Sequence, residues 1–257
     1  MTDHLDALGI GSSSKEERQE QVRKILKASI PHSHRADSMT LRWHDPSGAE
    51  LWIYVDQTGA MKSVQPHFAG GTRIRLELQA IFERKEISPY DGGFLGLTQE
   101  GGSNPSLGGG FPMVFDSPDF PDVKDAFLTA KHDVELAGFA VELNLYPTEA
   151  DFREAQPDLK PLEVPAFLPA GMMAQLEGGQ PTAHALMVGR VLESEHVTNQ
   201  LTGQAFMRIR METPAGPLDL IVGPGLIDDL PPVGYVLQAG AWLSGRLTPE
   251  EDETTEA

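Results

Sequence analysis

The stretch "MTLRWHDPSGAELWIYVDQTGAMKSVQPHFAGGTRIRLELQAIFER", residues 39–84, decides the fold class of this chain. Polar and apolar residues alternate along short runs, and the turns PSG, DQTG and AGG separate these runs. A period of two with such turns is typical of an antiparallel meander, in which each strand buries one face. In the last run, Ile74, Leu76 and Leu78 should point into the core, with the charged residues between them facing outward.

The segments on either side of this meander give weaker signals. Ser14 and Glu17 fit a capping box, and apolar residues at helical spacing follow, which predicts a helix over residues 14–30 on the outside of the sheet. The segment "IPHSHRADS", 30–38, should end this helix. Further on, "DVELAGFAVELNLY", 133–146, should form a long strand, although its alanines leave a helix open.

The last third of the chain also alternates with a period of two. It contains "VGRVLE", the hairpin "NQLTGQAFMRIRM" and the closing run "PPVGYVLQAGAWLSGRL". Short strands joined by tight turns suit a small closed barrel, which leaves no free edges. Residues 183–247 therefore resemble an OB-fold, a resemblance that covers about a quarter of the chain and that SH3-like barrels share. The usual helix between the third and fourth strands has no clear counterpart here.

The fold class expected from these patterns is mainly β (α+β). An N-terminal antiparallel sheet domain with peripheral helices should be followed by a small OB-like β-barrel. The expected divisions are a disordered N-terminus at 1–13, the sheet domain at 14–156, a Pro/Gly-rich linker at 157–182, the barrel at 183–247 and a disordered acidic tail at 248–257.

Composition narrows the classes of function. The net charge is −18, and the tail carries five acidic residues and no basic one, so −13 remains without it. This field repels phosphate backbones and anionic membranes, so nucleic acid and membrane partners are disfavoured. The absence of cysteine excludes thiolate chemistry. No signal peptide or apolar run of about 20 residues is evident, and we expect a cytoplasmic protein.

The glycine-rich stretch "QEGGSNPSLGGGFPMVFDSPDF", 99–120, invites comparison with phosphate-binding loops. A Walker loop needs a lysine after its glycines, and both a Walker loop and a Rossmann turn need a helix there. The glycines here have no lysine and run into Pro112 and an apolar segment. We therefore expect a mobile loop over 99–110 that holds no phosphate, with a ligand-covering lid as the alternative. No cofactor fingerprint occurs elsewhere.

Carboxylates and histidines supply the candidate metal ligands. Asp116, Asp119 and Asp122 lie close together in sequence, and hard cations favour carboxylate oxygens. Their spacing is not that of an EF-hand, and aspartates beside prolines also cap turns. His32 and His34 form an H-x-H pair, which His44 and His67 from the meander could complement. Exposed histidine is the competing interpretation of that pair.

The OB-like segment supplies the candidate ligand-binding residues. Arg208 and Arg210 share one strand face with Phe206, and Trp242 lies in the closing strand. Basic and aromatic side chains on a curved sheet bind single-stranded nucleic acid in OB-folds. The alternative is that the arginines pair with nearby acids while Phe206 and Trp242 fill the barrel.

Three functions follow from these observations. The first is a non-enzymatic binding or adaptor protein of a bacterial kind, which recognises a protein or a small ligand. The second is a metal-assisted hydrolase that uses the aspartates or the histidines. The third is a single-stranded nucleic-acid binding protein. The chain contains no G-x-S-x-G motif of the kind that positions a serine nucleophile.

Overall fold

The computed structural model describes residues 4–11, 14–84, 88–98, 110–126, 128–159, 162–172 and 179–248. The protein is mainly β, as predicted. Its strands are β1 (Ile30–His34), β2 (Ser38–His44), β3 (Ala49–Asp56), β4 (Met61–Phe68), β5 (Arg73–Glu83), β6 (Gly92–Thr98), β7 (Pro112–Asp116), β8 (Lys131–Tyr146), β9 (Ala166–Leu168), β10 (His184–Thr198), β11 (Ala205–Thr213), β12 (Gly216–Val222) and β13 (Val236–Leu247). Its helices are α1 (Lys15–Ala28), α2 (Phe120–Val123) and α3 (Glu149–Ala155).

The smaller of two sheets has the order β1–β2–β3–β4 and is antiparallel throughout. Strands β2 to β4 confirm the predicted meander. The helix ends before residues 30–38, as predicted, since α1 stops at Ala28. Residues 30–34 then form β1, which pairs with β2 across a register shift between Pro31 and Ser33. As an edge strand, β1 tolerates a proline, because one side of the strand needs no ladder hydrogen bonds.

The larger sheet is mixed and begins with β5, which leaves the meander. Instead of pairing with β4, β5 pairs with β6 and with the start of β8. Its alternation is as predicted, because Ile74, Leu76 and Leu78 are all buried. The prediction of one continuous meander was wrong at this point, where Gly70 and Gly71 redirect the chain; Gly71 has a φ of 80°.

Two rings of strands follow one another along the long antiparallel pair β8–β13. Strands β10, β11 and β12 complete the first ring, in the order β8–β12–β11–β10–β13. Strands β5, β6 and β7 complete the second, which the bridge between Ser244 and Asp116 closes. Each ring hides most of its strand edges, which an open sheet would expose.

The first ring differs in one respect from the barrel expected over residues 183–247. That segment supplies four of the ring's strands, and β8 closes it through a parallel pair with β12 and an antiparallel pair with β13. Pairing with β8 satisfies the edge of β12 that the segment alone would leave open. The domain boundaries and the OB-fold resemblance stay predictions.

The apolar core has two main parts. One fills the rings and includes Phe94, Phe115 and Leu243. The other lies between the two sheets and includes Trp43 and Phe139. Helix α1 packs on the outside through Ile25, and its cap is as predicted, because Ser14 Oγ accepts a hydrogen bond from Glu17 N at 3.1 Å.

Several other segments were also expected to be irregular. Residues 4–11 were expected to be disordered, yet Ala7, Leu8 and Ile10 are buried in the core between the sheets. Strand β9, within the expected linker, pairs with β10. Residues 99–109 of the glycine-rich loop and 249–257 of the acidic tail lie outside the described residues. Within the described ranges, no helix is long and apolar enough to cross a membrane.

Candidate functional site

Buried polar side chains gather where the smaller sheet packs on the junction of the two rings, and we call them the polar cluster. Both sheets contribute charged groups, which is unusual for a protein interior. Its buried members are Glu50 and His67 from the smaller sheet and Glu135 and Ser244 from the larger. Two half-buried arginines complete it, since Arg42 pairs with Glu50 and Arg246 with Glu135.

Hydrogen bonds at the centre of the polar cluster join β4 to β13. His67 Nδ1 lies 2.9 Å from Ser244 Oγ, which donates its proton to the carbonyl of Pro66 at 3.2 Å. Glu135 accepts a hydrogen bond from Arg246 Nη2 at 2.7 Å. His67 Nε2 stands 3.9 Å from the Glu135 carboxylate, which is too long for a hydrogen bond.

The second carboxylate of the polar cluster, Glu50, is fully buried on β3. It forms an ion pair with Arg42, accepts a hydrogen bond from Trp52 Nε1 at 3.0 Å and lies 3.0 Å from His44 Nδ1. Its lone pairs are therefore largely satisfied, which a buried carboxylate requires.

These surroundings set the charges of the buried acids. Burial opposes the ionisation of Glu135, but His67 and Arg246 outweigh it and hold its pKa at about 2. Burial likewise opposes the ionisation of Glu50, and Arg42 and His67 lower its pKa. Asp119 differs, because burial dominates and raises its pKa. Two carboxylates thus carry charge inside the protein, whereas Asp119 is shifted toward its neutral form.

Three neighbouring side chains lie in the order Ser244, His67, Glu135, and these are the residue types of a hydrolytic triad. Ser244 is 1% exposed, however, and His67 is 0% exposed, so a substrate cannot reach the hydroxyl. The proton of Ser244 is also committed to Pro66. The polar cluster therefore joins the two sheets, and removing one partner would leave a buried charge uncompensated.

The predicted aspartate cluster divides into separate roles. Asp116 accepts hydrogen bonds from Trp242 Nε1 at 2.6 Å and from Arg84 Nη2 at 2.8 Å. Burial raises the pKa of Asp116 although Arg84 opposes this. Asp119 accepts a hydrogen bond from Ser117 Oγ at 2.8 Å. These aspartates hold neighbouring loops and strands together.

The remaining metal candidates also have structural contacts. Asp122 accepts hydrogen bonds at 2.8 Å from Ser33 and from Arg35, which fastens β1 to the end of α2. His32 meets the ring of Trp52 edge-on, and His34 ends β1. Among the residues that the structure describes, no three His, Asp or Glu side chains are grouped so as to hold a metal ion.

The predicted ligand-binding residues occupy two environments. Phe206 and Trp242 are buried, in the core between the sheets. Arg208 and Arg210 lie on the outer face of β11, and the Nε atoms of both contact Asp219 Oδ1, at 3.0 and 3.1 Å. Phe206 and Trp242 are thus buried in the core, and Arg208 and Arg210 are paired with a carboxylate.

An open cleft of about 520 Å³ lies beside these arginines, between the turn that joins β2 to β3 and the end of β10. We call it the inter-sheet cleft, because both sheets line it. Its polar side chains are largely exposed on the β10 side. The residues that define it here are His44, Ser47, Gly70, Glu195, His196 and Arg208.

Sequence reasoning passed over Glu50 and Glu135, which are buried acids within strands, and it counted Asp219 only among the acids near Arg208 and Arg210. The signal available was a charged residue flanked closely by apolar ones, as Glu50 is in "AELWIYV" and Asp219 in "PLDLIV". A strand that is buried on both faces shows no alternation against which such a residue stands out.

Comparison of the chain with protein-family models, with curated proteins and with solved structures finds no match.

Proposed function

We propose that this protein is a non-enzymatic binding protein, and that the inter-sheet cleft receives a segment of a partner protein that is rich in lysine and arginine. The observation that carries the proposal is the contrast between the polar cluster and the cleft. The groups suited to chemistry are buried and paired, whereas Glu195 and His196 are exposed at an open cleft.

The charges around the inter-sheet cleft favour a cationic partner. Arg208 Nε and Nη1 contact Asp219 and Glu195 at 3.0 and 2.6 Å, and Nη2 lies 3.9 Å from Glu193. The side chains of Glu193 and Glu195 are 59% and 54% exposed. An anionic ligand would meet these carboxylates and the overall charge of −18. A cationic segment would meet the opposite field.

The same pairings count against single-stranded nucleic acid as the ligand. Arg208 and Arg210 share Asp219, so neutralising a phosphate would require breaking a contact to a fully buried carboxylate. Two arginines would at best release the counterions of about two phosphates, too few for tight binding.

We also propose that the first ring is an OB-like barrel. Its five strands and its closure support this interpretation, because five is the strand number of that fold.

A peptide titration tests the proposed function. A labelled peptide of alternating lysine and glycine, a matched glutamate peptide and a short single-stranded oligonucleotide are each titrated by fluorescence anisotropy. The lysine peptide should bind. Raising the salt concentration from about 50 to about 500 mM should lower its affinity, because salt screens the attraction between surface charges. The other two probes should not bind.

Two tryptophan variants locate the interaction. Thr198→Trp fills the inter-sheet cleft from the exposed end of β10 and should abolish peptide binding. Val141→Trp introduces the same side chain at a 39% exposed position of β8, outside the cleft, and should leave binding intact. Equal effects of the two variants, or tight binding of the oligonucleotide, would contradict the proposal.

A further inference from the structure

Residues 4–11 lie in a groove on the first ring, which we call the N-terminal groove. Its walls are the loop of the β10–β11 hairpin, the residue after β12 and the face of Trp242. The residues that define it are Asn199, Thr202, Gln204, Gly223 and Trp242. The occupying segment forms a short 3-10 turn, Asp6–Leu8.

The hairpin loop binds the backbone of this segment through side chains. Asn199 Nδ2 donates to the carbonyl of Leu8 at 2.8 Å, and Thr202 Oγ1 donates to that of Gly9 at 2.6 Å. The amide of Gln204 makes two hydrogen bonds with the backbone of Gly11, at 2.6 and 3.1 Å. Side chains that pair with a neighbour's main chain are a feature of peptide recognition.

The groove also selects the side chains of its occupant. Leu8 is fully buried. Gly9 has a φ of 68°, and a Cβ there would stand 2.8 Å from the carbonyl oxygen of Gln204. A Cβ on Gly223 would stand 3.2 Å from the Cα of Ala7, so Gly223 makes room for the turn. The groove therefore requires an apolar residue followed by glycine.

An aromatic face completes the recognition. The ring of His4 stacks on Trp242, with the ring centres 4.6 Å apart and the planes 18° from parallel. It also meets Phe139 edge-on at 5.7 Å. A planar ring four residues before the leucine is thus the third feature that the groove accepts.

The hairpin loop owes its shape to contacts that do not involve the segment. Asn199 Oδ1 accepts hydrogen bonds from the backbone N–H groups of Leu201 and Thr202, at 3.1 and 3.2 Å. The carboxylate of Asp45, from the smaller sheet, accepts others from Gln200 and Leu201. The loop is therefore preorganised, which lowers the entropy lost on binding a ligand.

We infer that the N-terminal groove is a peptide-binding site, and that residues 4–11 occupy it as a tethered competitor. Its ligand is a segment of a partner protein with a planar ring, three residues, then leucine and glycine. Such a partner must displace residues 4–11, whose tether gives them a millimolar effective concentration. This inference is independent of the inter-sheet cleft.

The test uses the full chain with Leu8→Asp, because a carboxylate is costly to bury in the place of Leu8. A labelled peptide with the sequence of residues 4–11 is added and its anisotropy measured. It should bind this variant saturably and bind the unaltered chain about 100-fold more weakly, owing to the tethered competitor. Adding Asn199→Ala should weaken binding by at least about fivefold, because it removes one hydrogen bond to the peptide and two that preorganise the loop. A peptide with Leu8→Asp should not bind.

Gly9→Val is the second variant, because it displaces the segment by backbone strain while leaving Leu8 in place. Near-ultraviolet circular dichroism shows whether each variant keeps its packed core. A folded variant that fails to bind the peptide at about 1 mM, the effective concentration of the tether, overturns the inference. Failure of both variants to fold overturns it as well, because the groove would then depend on residues 4–11 for its existence.

Discussion

Replacing Glu135 by glutamine removes a charge from the polar cluster and should destabilise the protein in a pH-dependent way. The pKa of Glu135 falls from its usual 4.5 to about 2 in the folded protein. At about 1.4 kcal/mol for each pKa unit, the ionised carboxylate contributes about 3 kcal/mol to the free energy of unfolding at pH 7. Arg246, which hydrogen-bonds the carboxylate, would face a neutral amide in its place.

The sign of the pH dependence follows from the direction of the shift. Because the folded pKa is below the unfolded one, the contribution is fully present above about pH 4.5 and is lost as the pH falls toward 2. The difference between the unaltered chain and Glu135→Gln should therefore be about 3 kcal/mol at pH 7 and about half of that near pH 3.

Urea denaturation at a series of pH values measures this difference, with tryptophan fluorescence as the signal. Glu142→Gln is the matched control, since Glu142 is an exposed residue of the same strand, and it should change the free energy of unfolding by less than about 0.5 kcal/mol. A difference for Glu135→Gln that is absent at pH 7, or that does not shrink on acidification, would refute the reasoning.

Two further substitutions probe the second ring, both measured by thermal and urea unfolding. Trp242→Phe keeps most of the packing but removes the N–H that Asp116 accepts at 2.6 Å, and we expect a loss of about 2 kcal/mol, as for other hydrogen bonds to buried charges; a change within error would mean that this bond adds nothing. Gly93→Ala should cost about 3 kcal/mol, because its Cβ would overlap the Phe115 carbonyl oxygen of β7. Its control, Gly59→Ala, has open space around it and a φ of 79°, so it should cost only about 1 kcal/mol of backbone strain; equal losses would contradict the overlap.

The strands of the meander could be predicted because the information is local. In "TRIRLELQAIFER" each apolar residue is two positions from the next, and Ile74, Leu76 and Leu78 are buried accordingly. The partner of this strand could not be predicted, since alternation fixes which face is buried and not which edge is paired. The chain therefore leaves the meander at Gly71 without any change in its pattern.

The burial of residues 4–11 depends on partners that are distant in sequence. The segment "HLDALGIG" has no clear period, and its contacts to Asn199, Thr202 and Gln204 join residues about 190 positions apart. Nothing local distinguishes such a segment from a disordered terminus. The hydrogen bond between the candidate residues Asp116 and Trp242 could not be predicted either. It joins two strands that come together only because the second ring closes.

The position of the polar cluster follows from the way in which β13 passes from one ring to the other. Trp242 is the last residue of β13 that pairs with β10, and Ser244 is the one that pairs with β7. At this change of neighbour the two side chains turn to other elements, Trp242 to Asp116 and Ser244 to His67. A strand surrounded by one barrel would need only apolar side chains here. At this passage the smaller sheet covers the Ser244 hydroxyl, and His67 on β4 supplies a hydrogen-bond partner for it. This arrangement explains why the buried pair of His67 and Ser244 lies beneath the smaller sheet, at the point where β13 changes its neighbours.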